Sequence, residues 1–398
     1  MEYKKTQLRL NGLEFLVLAA TSASSYLSVV LRGTGMTGTT VGMILSINAM
    51  IGMIAPPVFG LISDKIGSPR KTLAIAMVAT ATLWLGVPAT MRIYLSGFPV
   101  VVGFILVGSF FRTPVGSLLD SWLMQVQEAD SRISYAHARK YGSLGFAVMS
   151  MISTSIVANF GVGAAFFSMP ILLIPILLLI RQIGDPDTEV AEQAQPEARE
   201  KLQVSRVFKN YYLMTHFLCL MVVWMPFMLH SLLLPELIGD IGKDRSLLGS
   251  VVGLRALMEV PAFMLVPYML RRFDSRVVIP IGFLWYVLEY ALLYFTRGLV
   301  PLYLIMMMSG TVFAIIVGVN MSYVHGLAPR GLKATVVTMN GAAMSLSGIL
   351  ANALGGKLLD TVGVRNTFLI VAGMVLVAVC LMVLFQYIGK KRNIQVPE

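Results

Sequence analysis

Charged residues are scarce in this chain, yet several lie inside long apolar stretches. Arg112 and Asp120 flank Gly116, and their spacing places all three on one face of a helix, the two charges about 12 Å apart along the axis. An ionised group in such a stretch must be paired or hydrated, which makes each a candidate for proton transfer. The alternative is a structural ion pair with neighbouring helices.

Arg255 and Glu259 form a second pair of charges, one helical turn apart, so their side chains can meet directly. A carboxylate with a movable arginine partner can take up and release a proton, whereas a fixed pair would only hold the helix in register. We predict Glu259 first and Asp120 second as proton-coupling residues. Their arginine neighbours, Arg112 and Arg255, belong to the same group. Glu14, one turn into an apolar stretch, is a further candidate, although it could instead snorkel or cap a helix.

The composition indicates where these charges lie. The 398 residues are 57% hydrophobic and 13% charged, whereas soluble domains carry about 25% charged residues. Such a chain must expose apolar surface to lipid. Apolar runs of about 20 residues, the length that crosses a bilayer core of about 30 Å, predict an all-α membrane protein with twelve transmembrane helices. These are spans 1 to 12, at residues 11–31, 38–62, 71–91, 98–122, 140–159, 164–181, 209–233, 246–270, 277–295, 300–324, 334–357 and 366–388.

One long polar stretch divides the chain near its middle. It predicts a six-helix bundle at 1–182, a cytoplasmic linker at 183–207 and a second bundle at 208–398. With both termini in the cytoplasm, most Lys and Arg fall on the cytoplasmic side, a bias of about three to one. The net charge of +11 is then explained by topology and anionic lipid, so the expected partner is the lipid bilayer and not nucleic acid. Two cysteines and four histidines are scattered, so no metal site or cofactor is predicted.

The loop between spans 2 and 3 has a recognisable pattern, G-L-I-S-D-K-I-G-S-P-R-K. A glycine at its start would let two helices approach closely, and its aspartate could cap the positive N-terminus of a neighbouring helix. The pattern resembles the cytoplasmic signature G-x-x-x-D-[RK]-x-G-[RK]-[RK] of the major facilitator superfamily. The matching residues are Gly60, Asp64, Lys65, Gly67, Arg70 and Lys71. The resemblance implies a secondary transporter with two pseudo-symmetric six-helix bundles around a central cavity.

Span 5 opens with a more specific pattern, R-K-Y-G-S-L-G-F from Arg139 to Phe146. It is similar to the R-x-[WFY]-G-S-x-G element of the branch that contains lactose permease, nucleoside–proton symporters and related sugar transporters. The E-V-P sequence at Glu259 resembles an element of sugar-efflux relatives. The resemblance implies that Arg139 and Phe146 bind substrate, and it places the carboxylate partner of that arginine at Met124 or a neighbour. A lactose-type coupling network is therefore expected to be absent.

The same resemblance implies that spans 1, 4, 7 and 10 line the cavity, with spans 2, 5, 8 and 11 beside them. Aromatic rings that could stack on a sugar, and amides that could bind its hydroxyls, lie in these spans. They are Tyr26, Asn48, Trp122, Asn320, Tyr323 and Asn340. Trp122 could equally anchor its helix at the lipid interface. Gly142 and Gly145 are expected to serve close helix packing.

These features favour a secondary transporter that couples entry of a sugar or similar small polar solute to protons, in a bacterial inner membrane. A proton antiporter that exports drugs, sugars or amphipathic metabolites is the alternative, and the 26 methionines keep it open because they could form an adaptable apolar lining. A sensor on the same fold has no motivating feature. An enzyme is disfavoured because no phosphate loop or catalytic triad is present. We expect a monomer, as is usual for this fold.

Overall fold

The computed structural model describes residues 2–183, 205–329 and 332–392. Within them, eleven helical stretches are long and apolar enough to cross a membrane. The last stretch, Thr335–Lys391, is 57 residues long, far more than the about 20 that one crossing needs. Gly363 interrupts it with a non-helical backbone (φ 79°, ψ 168°), so it contains spans 11 and 12. The prediction of twelve helices is confirmed.

The first six spans contain ten helical segments and one short hairpin. Span 4 is divided at Pro114, because proline lacks the N–H that a helix interior uses. In chain order the elements are Glu2–Thr21, Ser22–Tyr26 (3-10) and Leu27–Gly33 in span 1; Gly38–Ile66 in span 2; Pro69–Thr90 in span 3; the strands Tyr94–Leu95 and Phe98–Pro99; Val101–Arg112 and Val115–Ala129 in span 4; Tyr135–Phe160 in span 5; and Val162–Phe167 (3-10) and Ser168–Ile183 in span 6.

The second six spans follow a short helix, Ser205–Lys209. Spans 7 and 8 are again divided, and a proline opens the second helix of each. The elements are Tyr211–Val223 and Met225–Asp240 in span 7; Arg245–Leu247 (3-10), Leu248–Phe263 and Val266–Arg272 in span 8; Ser275–Phe295 in span 9; Leu299–Gly326 in span 10; and Lys333–Lys391 in spans 11 and 12.

The described residues cluster into two compact units. Unit 1 comprises residues 2–36, 50–183 and 244–257, and unit 2 comprises 37–49, 205–243, 258–329 and 332–392. The first segments of spans 2 and 8 thus fall in the opposite unit from the one that the predicted division at 183–207 gives them. Most of that predicted linker, residues 184–204, lies outside the described residues, so the linker stays a prediction.

Unit 1 is held together by span 1, which packs along spans 5 and 6, while span 3 packs against spans 4 and 6. The approach of spans 1 and 5 is very close, because a Cβ at Gly145 would overlap the backbone of Phe15. The first part of span 8 packs on span 5 in the same way, and a Cβ at Gly253 would meet Met151 and the backbone of Ala147. Close packing is therefore confirmed for Gly145.

Unit 2 is built on spans 11 and 12, which contact spans 7, 9 and 10. The segment 37–49 of span 2 belongs to this unit and contacts span 11. Asp360 accepts hydrogen bonds from the backbone N–H groups of Gly38 (2.7 Å) and Thr39 (2.6 Å), which places a carboxylate at the positive start of the Gly38–Ile66 helix.

Candidate functional site

A cluster of charged side chains lies in unit 1, where spans 1, 4 and 5 meet. The Arg139 Nε lies 3.7 Å from Asp120 Oδ1, and the two side chains are 42% and 35% exposed. Tyr135 lies close enough to interact electrostatically with Asp120. Glu14 lies close enough to interact electrostatically with both Arg139 and Asp120. We call Glu14, Asp120, Tyr135 and Arg139 the span 1–4–5 cluster.

The start of span 5 is fixed by polar contacts that position Tyr135 and Arg139. The Ser134 side chain caps the helix by accepting from the His137 N–H (3.2 Å). The Gln7 side chain of span 1 accepts from the Ser134 N–H (2.8 Å) and donates to its carbonyl (3.2 Å). Because one amide satisfies both backbone groups at this turn, the first turn of span 5 cannot shift along span 1 without losing two hydrogen bonds.

Glu14 is fully buried, with 0% of its surface exposed. Neither carboxylate oxygen has a hydrogen-bond partner within the described residues. A Cβ at Gly142 would lie 2.7 Å from Glu14 Oε2 and 2.9 Å from Arg139 Nη1. Gly142 therefore leaves the space in which the carboxylate and the guanidinium become neighbours, so its packing role is confirmed and serves the site directly.

The partner of Arg139 corrects one inference from the sequence. The resemblance placed the carboxylate at Met124 or a neighbour and implied that the pairing was lost. Asp120 supplies it from one helical turn earlier on span 4. The long arginine side chain spans that turn, so the arginine–carboxylate pair is retained with a shifted register. The expectation that Asp120 contacts a neighbouring span is confirmed.

Arg112 lies apart from this cluster. It ends the first helix of span 4, before the break at Thr113 and Pro114. Its Nε atom and the Thr113 hydroxyl are both buried without a hydrogen-bond partner in the part of the chain that the structure describes. The same residues provide no ion-pair partner within 4 Å. The structure therefore keeps Arg112 and Asp120 apart, in agreement with their spacing of about 12 Å along the helix axis.

Three aromatic residues of the predicted substrate site also lie in unit 1. Phe146 is half-buried and stands two helical turns from Arg139 on the same face of span 5. Trp122 and Tyr26 are fully buried, at 0% exposure. The Tyr26 hydroxyl donates to the Ser246 carbonyl (2.9 Å). Neither Trp122 nor Tyr26 presents surface to a solute in this conformation, and full burial also rules out Trp122 as a lipid-interface anchor here.

A second polar group lies in unit 2, where spans 7, 10 and 11 meet. The His216 Nε2 lies 2.7 Å from Asn320 Oδ1. The Asn320 amide donates to Asn340 Oδ1 (3.1 Å), and the Tyr323 ring packs 5.1 Å from the imidazole ring. His216, Asn320 and Asn340 are all buried. The structure thus brings three predicted substrate-binding residues together, but the two amides bind each other and a histidine.

Asn48, Arg255 and Glu259 are the remaining site candidates. Asn48 is half-buried, and its Oδ1 has no hydrogen-bond partner among the described residues. Arg255 is buried at the end of the span 8 segment assigned to unit 1. Glu259 is half-buried and belongs to unit 2. Their proposed roles stay predictions.

Sequence reasoning missed three functional candidates. Tyr135 lies one turn before Arg139, and that spacing alone could have indicated a shared partner. His216 gave no signal, because its partner Asn320 is distant in sequence. Glu289 is not among the predicted site residues, yet its Oε1 lies 2.7 Å from His230 Nε2, and the side chains of Glu289 and His230 are 0% and 5% exposed. This pair joins spans 7 and 9 inside unit 2.

The loop motif adopts the expected local turn but not the expected contacts. Gly67 takes a positive φ of 69° at the end of span 2, and the Ser68 hydroxyl caps span 3 by accepting from the Lys71 N–H (3.2 Å). A Cβ at Gly60 would meet nothing within 4 Å. Asp64 is exposed and caps no helix among the described residues. The close approach at Gly60 and the cap by Asp64 are not seen among the described residues, and both stay predictions.

Comparison with known proteins identifies the class. The model of the MFS_1 like family matches residues 7–386, so the chain belongs to this family. It is a multi-pass membrane transporter of the major facilitator type, and it is not an enzyme. A protein of Deinococcus radiodurans assigned as a sugar efflux transporter is 26% identical over 382 residues, which cover 91% of this chain and 92% of that one.

Two solved structures show the same fold. The nucleoside transporter NupG has a TM-score of 0.78 at 17% identity, covering 96% of this chain and 99% of that one. A D-xylose–proton symporter has a TM-score of 0.70 at 16% identity, covering 96% and 95%. The two polar groups thus lie in a fold that solved transporters share.

Proposed function

We propose that this protein is a proton-coupled secondary transporter of a sugar or similar small polar solute, and that the span 1–4–5 cluster binds both proton and solute. The single observation that carries the proposal is the position of Arg139 between two carboxylates at a half-exposed surface of unit 1. A guanidinium in this setting offers fixed N–H donors to the hydroxyl groups of a solute.

Charge balance supports the proton part of the proposal. With Glu14 and Asp120 both ionised, the cluster carries one guanidinium and two carboxylates, a formal net charge of −1. Glu14 is fully buried and lacks hydrogen bonds within the described residues, and an ionised carboxylate there is costly. One bound proton removes the excess charge. The proton can be released only when Arg139 turns fully toward a carboxylate. Solute binding at the guanidinium would control that movement.

The relatives support the solute class, since they are named for sugar efflux, nucleoside transport and D-xylose–proton symport. Export is the second candidate function, because one relative is assigned to sugar efflux. The same cluster would then serve antiport, with proton and solute exchanged at Arg139. The membrane is proposed to be a bacterial inner membrane, and the working form a monomer.

The other predicted residues complete the proposal. On the solute path, Glu259 with Arg255 would form a second proton-responsive group, and Asn48, Asn320, Tyr323 and Asn340 would contact the solute after the amide chain of unit 2 opens. The loop motif Gly60 to Lys71 would make its helix contacts in another state of alternating access, since Asp64 is free of such contacts within the described residues here.

A transport assay tests this function. Purified protein in proteoliposomes is exposed to D-xylose, D-glucose, lactose or uridine while the external pH is recorded. Symport predicts external alkalinisation on solute addition, and antiport predicts the reverse proton flux. Arg139→Ala should weaken solute affinity by about 10-fold or more, the loss of a charge-assisted hydrogen bond, whereas Arg92→Ala, at an exposed loop, should leave it unchanged. Unchanged affinity in Arg139→Ala would refute the site.

The proton role is tested separately. Asp120→Asn and Glu14→Gln keep shape and remove charge, so each should abolish uphill accumulation while solute exchange persists. Glu259→Gln is the comparison for the second group. If accumulation survives in both cluster variants and fails only in Glu259→Gln, proton coupling belongs to span 8 and not to the span 1–4–5 cluster.

A further inference from the structure

Arg112 presents a physical problem that the proposed function does not solve. Its Nε is buried without a hydrogen-bond partner, no carboxylate pairs with it within the described residues, and the neighbouring Thr113 hydroxyl is also unsatisfied. Arg112 as a whole is only partly exposed, and a guanidinium without a counter-charge is unfavourable inside a membrane protein. Buried polar groups are almost always satisfied in native structures, so these two unsatisfied groups call for a ligand or water.

The face of span 4 that carries Arg112 is open. One turn later on the same face, a Cβ at Gly116 would meet nothing within 4 Å. Gly116, Ser117 and Ser121 are exposed, and Asp120 is 35% exposed. Large apolar side chains fill the exposed positions of a lipid-facing helix, as Ile171, Ile174 and Leu178 do in span 6. Small and polar residues on an exposed face instead indicate contact with water or solute.

The charges along this face are unevenly balanced. At one end, Arg139 has Asp120 and Glu14 as counter-charges. At the other end, about 12 Å along the helix, Arg112 has none among the described residues. A neutral solute held at Arg139 would leave Arg112 uncompensated. A solute with an anionic group at its far end would satisfy the guanidinium and could accept a hydrogen bond from the Thr113 hydroxyl.

We propose that Arg112 and Thr113 form a subsite for the anionic group of the transported solute, so that the substrate is an acidic sugar or nucleoside derivative carrying a carboxylate or phosphate. This rests on the proposed function, because it assigns the substrate class of the same transporter. It also gives Arg112 a substrate role in place of the proton-coupling role predicted from the sequence. The planar guanidinium suits this task, since it binds carboxylate and phosphate through two N–H groups at once.

Matched pairs of solutes test the subsite. Binding of D-glucose is compared with D-glucuronate, D-ribose with D-ribose 5-phosphate, and uridine with uridine 5′-monophosphate, by titration calorimetry on the purified full chain. The wild-type protein should bind the anionic member of at least one pair about 10- to 100-fold more tightly, the range of a hydrogen bond to a charged group. Equal or weaker binding of the anionic member in every pair would overturn the proposal.

Variants then assign the preference to its residues. Arg112→Ala should abolish the preference for the anionic member while leaving the neutral member's affinity unchanged. Arg112→Lys should keep part of it, because the charge remains but the fork is lost. Thr113→Val should reduce it severalfold, and Arg92→Ala, on an exposed loop, should not change it. A preference that survives Arg112→Ala would refute the assignment.

Stability separates the ligand role from a structural one. If Arg112 has no counter-charge in the protein, Arg112→Ala should leave the ligand-free melting temperature unchanged or higher. If Arg112 instead pairs with a carboxylate of the protein, its removal leaves that group buried and uncompensated and lowers the melting temperature sharply, which contradicts the proposal. Failure of proton coupling at Asp120 or Glu14 would not alter the anionic preference, so the two proposals fail independently.

Discussion

The close approach of spans 1 and 5 at Gly145 makes a prediction that needs no ligand. A Cβ there would overlap the Phe15 backbone, and backbone cannot rotate away as a side-chain end can. Overpacking of this kind costs about 1–3 kcal/mol, and a backbone clash belongs at the upper end. The helix gains about 0.5–1 kcal/mol when alanine replaces glycine. Gly145→Ala should therefore lower the free energy of unfolding by about 2 kcal/mol.

For a unit of this size, a loss of that magnitude lowers the melting temperature by about 4–8 °C. Thermal unfolding of the purified protein in detergent measures it. Gly103→Ala is the matched control, because a Cβ at this position of span 4 would meet nothing within 4 Å, so its melting temperature should stay constant or rise slightly. If Gly145→Ala melts at the same temperature as Gly103→Ala, the helix approach is not as tight as the structure has it.

Three further predictions concern single polar contacts. Tyr26→Phe removes the bond to the Ser246 carbonyl and should destabilise the protein by about 1 kcal/mol, measured by thermal unfolding. Asn320→Leu leaves buried His216 without its partner and should cost about 1–3 kcal/mol. Hydrogen bonds from Ser246, first from its side chain and second from its backbone N–H, lower the pKa of the Asp244 carboxyl, so this cap is present above the ordinary pKa and is lost as pH falls through the lowered one.

Each of these has a result that would contradict it. An unchanged melting temperature in Tyr26→Phe would mean that water replaces the tyrosine hydroxyl as the donor to the Ser246 carbonyl. If the Asn320→Leu variant were more stable than wild type, the hydrogen bonds of Asn320 would not contribute to stability. For Asp244, amide exchange at the start of span 8 should accelerate in acid, and Asp244→Asn, which still caps but does not titrate, should abolish that acceleration. If exchange still accelerates in acid in this variant, a group other than Asp244 causes the acceleration.

The twelve spans followed from the sequence because lipid imposes a simple rule of apolar length. The pairing of Asp120 with Arg139 did not follow, since a motif fixes residues within one helix and leaves the register between helices open by a turn. A carboxylate four residues from its expected place was therefore judged absent. The role of Gly142 was predictable as close packing, but not that the space it leaves holds Glu14 and Arg139 as neighbours.

The amide chain of unit 2 shows a second limit of sequence reasoning. Asn320 and Asn340 were predicted as solute contacts because amides suit hydroxyl groups. In the structure the Asn320 amide already donates to Asn340, and Asn320 Oδ1 already contacts His216. A polar residue in an apolar run indicates that a hydrogen-bond partner exists. Which residue is the partner depends on three-dimensional packing. That is also why His216, isolated in sequence, carried no signal.

The single-residue break at Gly363 has a practical consequence for anyone who labels or fuses this protein. Two spans follow each other with only this glycine (φ 79°) out of helical geometry, a conformation that residues with a Cβ rarely adopt. The junction therefore offers no loop for an epitope, a protease site or a fluorophore. The hairpin of Tyr94–Leu95 and Phe98–Pro99, with its exposed turn at Ser96 and Gly97, is the better place for a reporter.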